Sequence, residues 1–379
     1  METPMENNAD SGNNGYSLIM KYRYAIMGIA TIWIFIFHTW IPVFYNPSNG
    51  FTEFVHNAEE YFRIIGYCGV DIFLLLSGMG LTYAIKRGSL ARFYYRRIRR
   101  VFLPYLAAAL IRWPIDQWSV QEFFENATGL SFYIKHIHTF CWFVPAIITL
   151  YLVFPLYYKM LTKAKSKLLF TSLAITVWFL ITILAHGHMR YDLYGFTNRI
   201  PVFLIGIYFG ELSKEPKRST FTKKHYLAVI AVFIAGLFLA YMYNFRDFEI
   251  VIPGGKAVVP NILISVSVSF LVAKVLAMLE RSLPKLGRVF NEAFSFWGKM
   301  SLEMYCTFIC FLIPYFVISV QLLHDLDLPI VLINIVVFSV TSSISWLVSL
   351  TFTYFWKLVE LIRKKKIADN KKHEQQVIN

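Results

Sequence analysis

IWIFIFHTWIPVF, residues 32–44, is a run that a bilayer interior accepts, interrupted by one ionisable ring, His38. A bilayer core about 30 Å thick takes about 20 apolar residues per helical crossing. A helix is favoured there because it satisfies every backbone polar group internally. Nine further segments meet or approach the same length. The ten lie near 22–45, 62–85, 101–118, 140–158, 168–186, 198–213, 226–244, 258–279, 300–320 and 329–356. Of the 379 residues 57% are hydrophobic and only 16% charged, against about 25% charged in soluble proteins. The sequence therefore predicts an all-α, polytopic integral membrane protein with ten transmembrane helices in one membrane domain over 21–357. Residues 1–20 are polar and carry no basic residue. They lack the positive start and short apolar core of a cleavable signal and read as a disordered N-terminal tail. Residues 358–379 read as a basic C-terminal tail.

The net charge of +14 is unevenly placed. Lys86, Arg87, Arg92, Arg96, Arg97, Arg99 and Arg100 follow the second apolar segment. Lys163, Lys165 and Lys167 follow the fourth, Lys214, Lys217, Arg218, Lys223 and Lys224 the sixth, and Arg281, Lys285 and Arg288 the eighth. The alternate loops hold few cations. Since cytoplasmic loops retain Lys and Arg, both termini are expected in the cytoplasm. The high isoelectric point then requires no nucleic-acid partner, and the tail LIRKKKIADNKK is placed to touch anionic membrane lipid. Cys68, Cys141, Cys306 and Cys310 all fall inside apolar segments without further ligands nearby, so they read as packed thiols and not as a metal site.

An ionisable residue at mid-membrane costs about 2.5–3.5 kcal/mol on insertion scales, so it usually pairs or lines a wet cavity. Antiparallel short-connected helices bring His38 and Asp71 of YCGVDIFLLLSGMG to similar depth. A carboxylate on one ring nitrogen would fix the tautomer and leave the other nitrogen as a base. The plainer reading is a histidine bonded to a neighbouring helix. Small residues Gly66, Gly69, Ser77, Gly78 and Gly80 thin the same helix, for close packing or for a slender ligand chain. Beyond it, KRGSLARFYYRRIRRVFLPYL interleaves seven cations with Phe93, Tyr94 and Tyr95. Arginine forks suit phosphate and tyrosine faces suit a base, so a phosphorylated or nucleotide-like ligand competes with lipid headgroups as the partner.

Taken together, these segments resemble the bacterial membrane-bound acyltransferase-3 family, whose members O-acylate surface glycans and other acceptors. The likeness runs through ATIWIFIFHTW, GVDIFLLLSGMGL, RRIRRVFLPY, FCWFVPAIITLYLVFPLYY (Trp142, Pro155), TNRIPVFLIGIYFG (Arg199, Pro201, Phe203, Gly206) and WGKMSLEMYCTF (Gly298, Ser301, Tyr305). Two positions depart from it. Met27 stands where the family often has an arginine eleven positions before the histidine, with Arg23 one turn lower. Phe308 stands where a histidine often follows the tyrosine.

The resemblance implies acyl-CoA, with acetyl the expected acyl group, as a donor from the cytoplasm. It implies a surface polysaccharide or lipid-linked glycan as acceptor and the cytoplasmic membrane of a bacterial cell as the location, with no metal. Arg96, Arg97, Arg99 and Arg100 would hold the CoA phosphates. The pantetheine arm would pass Tyr105, Ser77 and Gly78, with Gly80 also leaving room. His38 would act as general base or as acyl carrier, with Asp71 orienting it. Ser77, Arg112 and Tyr105 are oxyanion candidates, and Arg199 and Arg112 are acceptor-side candidates; Asp116 and Glu303 are left open. The rival class is a transporter or flippase for a lipid-linked glycan, against which the chain shows no internal repeat.

Overall fold

The computed structural model describes residues 15–44, 46–135, 140–185, 191–215, 220–246, 258–308, 321, 324–326 and 328–378. Among them the fold is helical throughout. In chain order the helices are α1 (Gly15–Lys21), α2 (Arg23–Thr39), α3 (Gly50–Ile64), a 3-10 turn Ile65–Tyr67, α4 (Cys68–Ala84), α5 (Leu90–Ile115), α6 (Val120–Thr128), α7 (Ser131–Ile134), α8 (Phe143–Lys163), α9 (Lys167–Leu184), α10 (Tyr191–Thr197), α11 (Ile200–Leu212), α12 (Lys223–Phe245), α13 (Val258–Ser282), α14 (Pro284–Lys299), α15 (Ser301–Thr307) and α16 (Ile330–Ile378).

Among the described residues six stretches are long and apolar enough to cross a membrane: Gly50–Ala84, Phe143–Lys163, Lys167–Leu184, Lys223–Phe245, Val258–Ser282 and Ile330–Ile362. The pair α1–α2, bent by 72°, makes a seventh if counted as one span. Helices occupy the other expected segments without meeting that test. The stretch 101–118 falls in the second half of α5, whose first half carries the arginines. Helix α11 has 13 residues, about 20 Å at 1.5 Å per residue. The stretch 300–320 is described only as far as Phe308, and Cys310 lies outside the described residues. Helices α9 and α12 present Leu173, Val177, Leu180, Ile234 and Phe238 outward, as lipid-facing helices do.

Several expected loops and tails are helical. Residues 15–20, assigned to the N-terminal tail, belong to α1, where Leu18 and Ile19 are buried. The loop 46–60 contains α3, opened by a capping box between Asn49 and Thr52 that satisfies its first amides. The eighth loop contains α14, with cations on one side and Phe294 packed inward. The C-terminal tail continues α16 as far as Ile378.

Glycine seams set the arrangement. A Cβ at Gly28 of α2 would fall on the Phe294 carbonyl oxygen of α14, and a Cβ at Gly298 would fall on that of Tyr24. Gly66 and Gly69 press against Trp33 O and Ala30 O of α2. Gly78, Gly206 and Gly210 let α4 and α11 meet backbone to backbone, at Phe203 O, Leu75 O and Met79 O. Lys214 ties the base of that seam by donating to Thr82 O at 3.1 Å. Helix α2 is thus clamped between α4 and α14.

Inserting a methyl into so close a contact costs about 1–3 kcal/mol. Gly28→Ala and Gly298→Ala should therefore each lower the melting temperature of the detergent-solubilised protein. Gly195→Ala, where a Cβ meets open space, should leave it within about 0.5 kcal/mol of the parent stability. A thermal-shift assay monitored by size-exclusion decides the comparison, and equal melting of all three variants would refute the seam.

Candidate active site

The clamp leaves α2 one free face. Arg23, Met27, Thr31, Ile34, Phe35 and His38 recur on it at intervals of three and four, and all line one internal cavity of about 800 Å³. Helix α4 supplies Val70, Phe73, Ser77, Gly80, Leu81 and Ala84 from the opposite direction. Helices α5, α8 and α15 complete the wall with Arg96, Arg97, Arg100, Ile147, Tyr151 and Tyr305 among others. From Arg23 to His38 the cavity follows about 22 Å of helix at 1.5 Å per residue.

One end of this cavity is cationic. Arg23, Arg87, Arg96, Arg97, Arg100 and Lys299 line it. Ser89 caps α5 by accepting from Arg92 N, which fixes the start of the helix that carries three of them. Arg96 donates to Arg87 O at 2.8 Å. Arg100 pairs with the buried Glu303 at 3.0 Å. By contrast, Nε of Arg23 and Nε of Arg97 are buried and have no hydrogen-bond partner among the described residues. Buried donors are nearly always satisfied, so these two nitrogens are candidates to meet acceptor oxygens from a ligand.

At the other end stands His38. Its ring packs edge-on to Phe37 at 4.7 Å and against Phe308 at 5.1 Å between centroids. The position that departs from the family pattern therefore places an aromatic ring directly on the imidazole. Arg63 reaches the same turn, donating to Phe37 O at 3.1 Å.

Asp71 does not reach His38. It is buried on the side of α4 away from the cavity, where it accepts from Asn261 Nδ2 at 3.2 Å. It forms an ion pair with Arg199 Nε at 3.4 Å, although that buried nitrogen, like those of Arg23 and Arg97, has no hydrogen-bond partner among the described residues. Arg199 in turn donates to Gly195 O, lies 5.3 Å from the Trp142 ring centroid and lines the cavity. The carboxylate thus orients a guanidinium and not the imidazole, and among the described residues no hydrogen bond joins Asp71 to His38.

The remaining sequence candidates divide by helix face. Ser77 lines the cavity with Arg96, Arg97, Arg100 and Arg199. Gly78 faces α11 and serves the seam; its neighbour Gly80 faces the cavity against the Arg23 guanidinium. Arg99 points into an adjoining groove of about 450 Å³, where it pairs with Glu360 at 3.0 Å and covers the Trp356 ring. Tyr105 is buried, donates to Asn126 O and stacks on Phe140. Arg112 pairs with Asp116 one turn away at 2.7 Å. Neither Tyr105 nor Arg112 lines the cavity. Sequence reading missed Tyr151 and Asn261, and it took in Arg87 only as one of the seven cations of the basic stretch.

Removing one partner of a buried ion pair costs about 3–5 kcal/mol, because it strands the other charge. Asp71→Asn should thus destabilise the protein strongly, and Asp71→Asn combined with Arg199→Gln should recover part of the loss. Thermal melting of the four-member cycle measures it; an additive double variant would show the pair to be uncoupled.

A family model described as an acyltransferase domain matches residues 26–351. No curated protein and no solved structure matches the chain.

Proposed function

The chain belongs to the acyltransferase-3 family, a family of acyl-group transferases, and from that premise we propose that it is a membrane O-acyltransferase using acyl-CoA. The acyl group is acetyl, the donor arrives from the cytoplasm, and the acceptor is a hydroxyl of an extracytoplasmic glycan or glycolipid. The protein sits in the cytoplasmic membrane with both termini inside.

One observation carries this reading: a single cavity reaches from unsatisfied arginines to an imidazole. The cationic end suits the phosphates of CoA, since Arg binds them through charge-assisted forks. A pantetheine arm is about 15–20 Å long (a bond-length estimate), which matches the α2 face from Arg23 to His38. The arm lies along Met27, Thr31, Ser77 and Gly80 and delivers the thioester to His38.

There His38 takes the proton of the acceptor hydroxyl as its oxygen attacks the thioester carbonyl. The C–S bond breaks, and the imidazolium returns the proton to the departing CoA thiolate. General base catalysis of this kind contributes about 10²- to 10⁴-fold. Arg199 offers a fixed positive charge on the cavity wall, held in place by Asp71, where negative charge develops on the carbonyl oxygen. In the covalent variant His38 accepts the acyl group first; single turnover with radiolabelled acetyl-CoA and no acceptor would then leave label on the protein.

His38→Ala should lower transfer by about 10²-fold or more with membrane insertion intact, and full activity would remove the imidazole from the mechanism. Arg96→Ala with Arg97→Ala should raise the half-saturating acetyl-CoA concentration about tenfold or more, the scale of one charge-assisted hydrogen bond. An unchanged requirement would return these arginines to topology and lipid contact.

A further inference from the structure

A second opening lies at the His38 end of the protein. It is a cleft of about 520 Å³ lined by Trp40, Ile41, Pro42, Asn46, His56, Glu60 and Arg63, within the range of about 300–1,000 Å³ typical of small-ligand sites. It is separated from the cavity by the last turn of α2, about 5.4 Å of helix. Trp40 follows His38 by two residues, and Arg63 is fastened to Phe37 O, on the turn that carries His38. The cleft therefore abuts the helical turn that carries the imidazole.

The charge of the cleft identifies its ligand class. Arg63 forks onto both oxygens of Glu60, with Nε to Oε2 at 2.8 Å and the second nitrogen to Oε1. Its remaining nitrogen is taken by Phe37 O. Each guanidinium nitrogen thus has a partner and Glu60 balances the charge, so a phosphate would find no unpaired cation, while two of the five N–H groups remain as donors. This is the reverse of the donor end, where arginine nitrogens lack partners. What remains is neutral and hydrogen-bonding. Glu60 keeps lone pairs beyond those used by Arg63, and Asn46 offers an amide donor and acceptor. His56 Nδ1 lies 2.9 Å from Phe44 O. A carbonyl only accepts, so Nδ1 carries a proton, leaving Nε2 for a ligand. Beside these groups the Trp40 indole supplies a broad apolar face with a polar edge. One flat apolar platform, several hydrogen-bonding groups and no unpaired arginine match a pyranose ring, which has an apolar C–H face and a rim of hydroxyls.

We infer that this cleft is the acceptor subsite: Trp40, Asn46, His56 and Glu60 hold a sugar unit of the acceptor so that a hydroxyl reaches His38. The inference rests on the acyltransferase reading for its chemistry, but its binding test does not. The full chain in lipid nanodiscs is titrated with delipidated envelope polysaccharide, and binding is read by thermophoresis without any donor. Parent protein should bind; Trp40→Ala and Glu60→Gln should each weaken binding at least tenfold. Trp40→Tyr, which keeps an aromatic platform, should restore most of the affinity and shows that the loss is not misfolding. A second arm replaces the free chain with the glycolipid embedded in the nanodisc, which distinguishes a free from a membrane-anchored acceptor. Weakening in either arm supports the subsite, and unchanged binding in both overturns it. In turnover assays the same variants should raise the half-saturating polysaccharide concentration at least tenfold while that of acetyl-CoA stays within twofold. A parallel rise for acetyl-CoA would overturn the assignment. Binding that responds to Trp40 in a protein that never consumes acetyl-CoA would uphold the cleft and remove the acyltransferase reading instead.

Discussion

Backbone contact through glycine is the constraint on which the remaining geometry depends. In lipid there is little hydrophobic gain in pressing two apolar helices together, so association relies on close van der Waals contact and on small residues that permit it. Gly28 with Gly298, Gly66 and Gly69 with α2, and Gly78 with Gly206 and Gly210 place four helices at the limit of approach. A helix clamped on two sides has little freedom to rotate. The face of α2 that carries Arg23 and His38 is consequently held toward the space that α5, α8 and α15 enclose.

That space is organised by how charges are shared. At one end Arg100 is paired with Glu303, while Arg23 and Arg97 keep an unsatisfied nitrogen. In the cleft beyond the far end Arg63 is charge-balanced by Glu60 and bonded to Phe37 O. Counting arginine nitrogens without partners separates an end suited to an anion from an end suited to a neutral, hydroxylic ligand. The Asp71–Arg199 pair sits between them as a fixed internal charge pair, anchored by Asn261 from α13.

Much of this was legible in the chain itself. His38 and the cluster from Arg96 to Arg100 stood out because ionisable residues are costly in or beside an apolar run, so their presence signals a partner or a cavity. The amphipathic helices were harder. α3 and α14 are too polar for a membrane crossing, so they read as loops, although Gly28 and Gly298 show α14 to be integral to the core. Within helices, residue type pointed to function but not to direction. Tyr105 and Arg112 lie in the same helix as Arg96, yet they turn toward Asn126 and Asp116.

The sequence by itself determined the helical membrane class, through composition and segment length; its motifs carried the likeness to the family, and it made His38 and the basic stretch candidates. Only the tertiary structure decided which groups meet. Asp71 looked like the partner of His38 because both were expected at one depth, but depth leaves the rotation of each helix open. Gly78 and Gly206 fix that rotation by bringing α4 against α11, and Asp71 is found on Arg199, a residue distant in the chain. Side-chain partnership depends on azimuth around each helix axis, and the azimuth is set by contacts between segments that no single stretch contains.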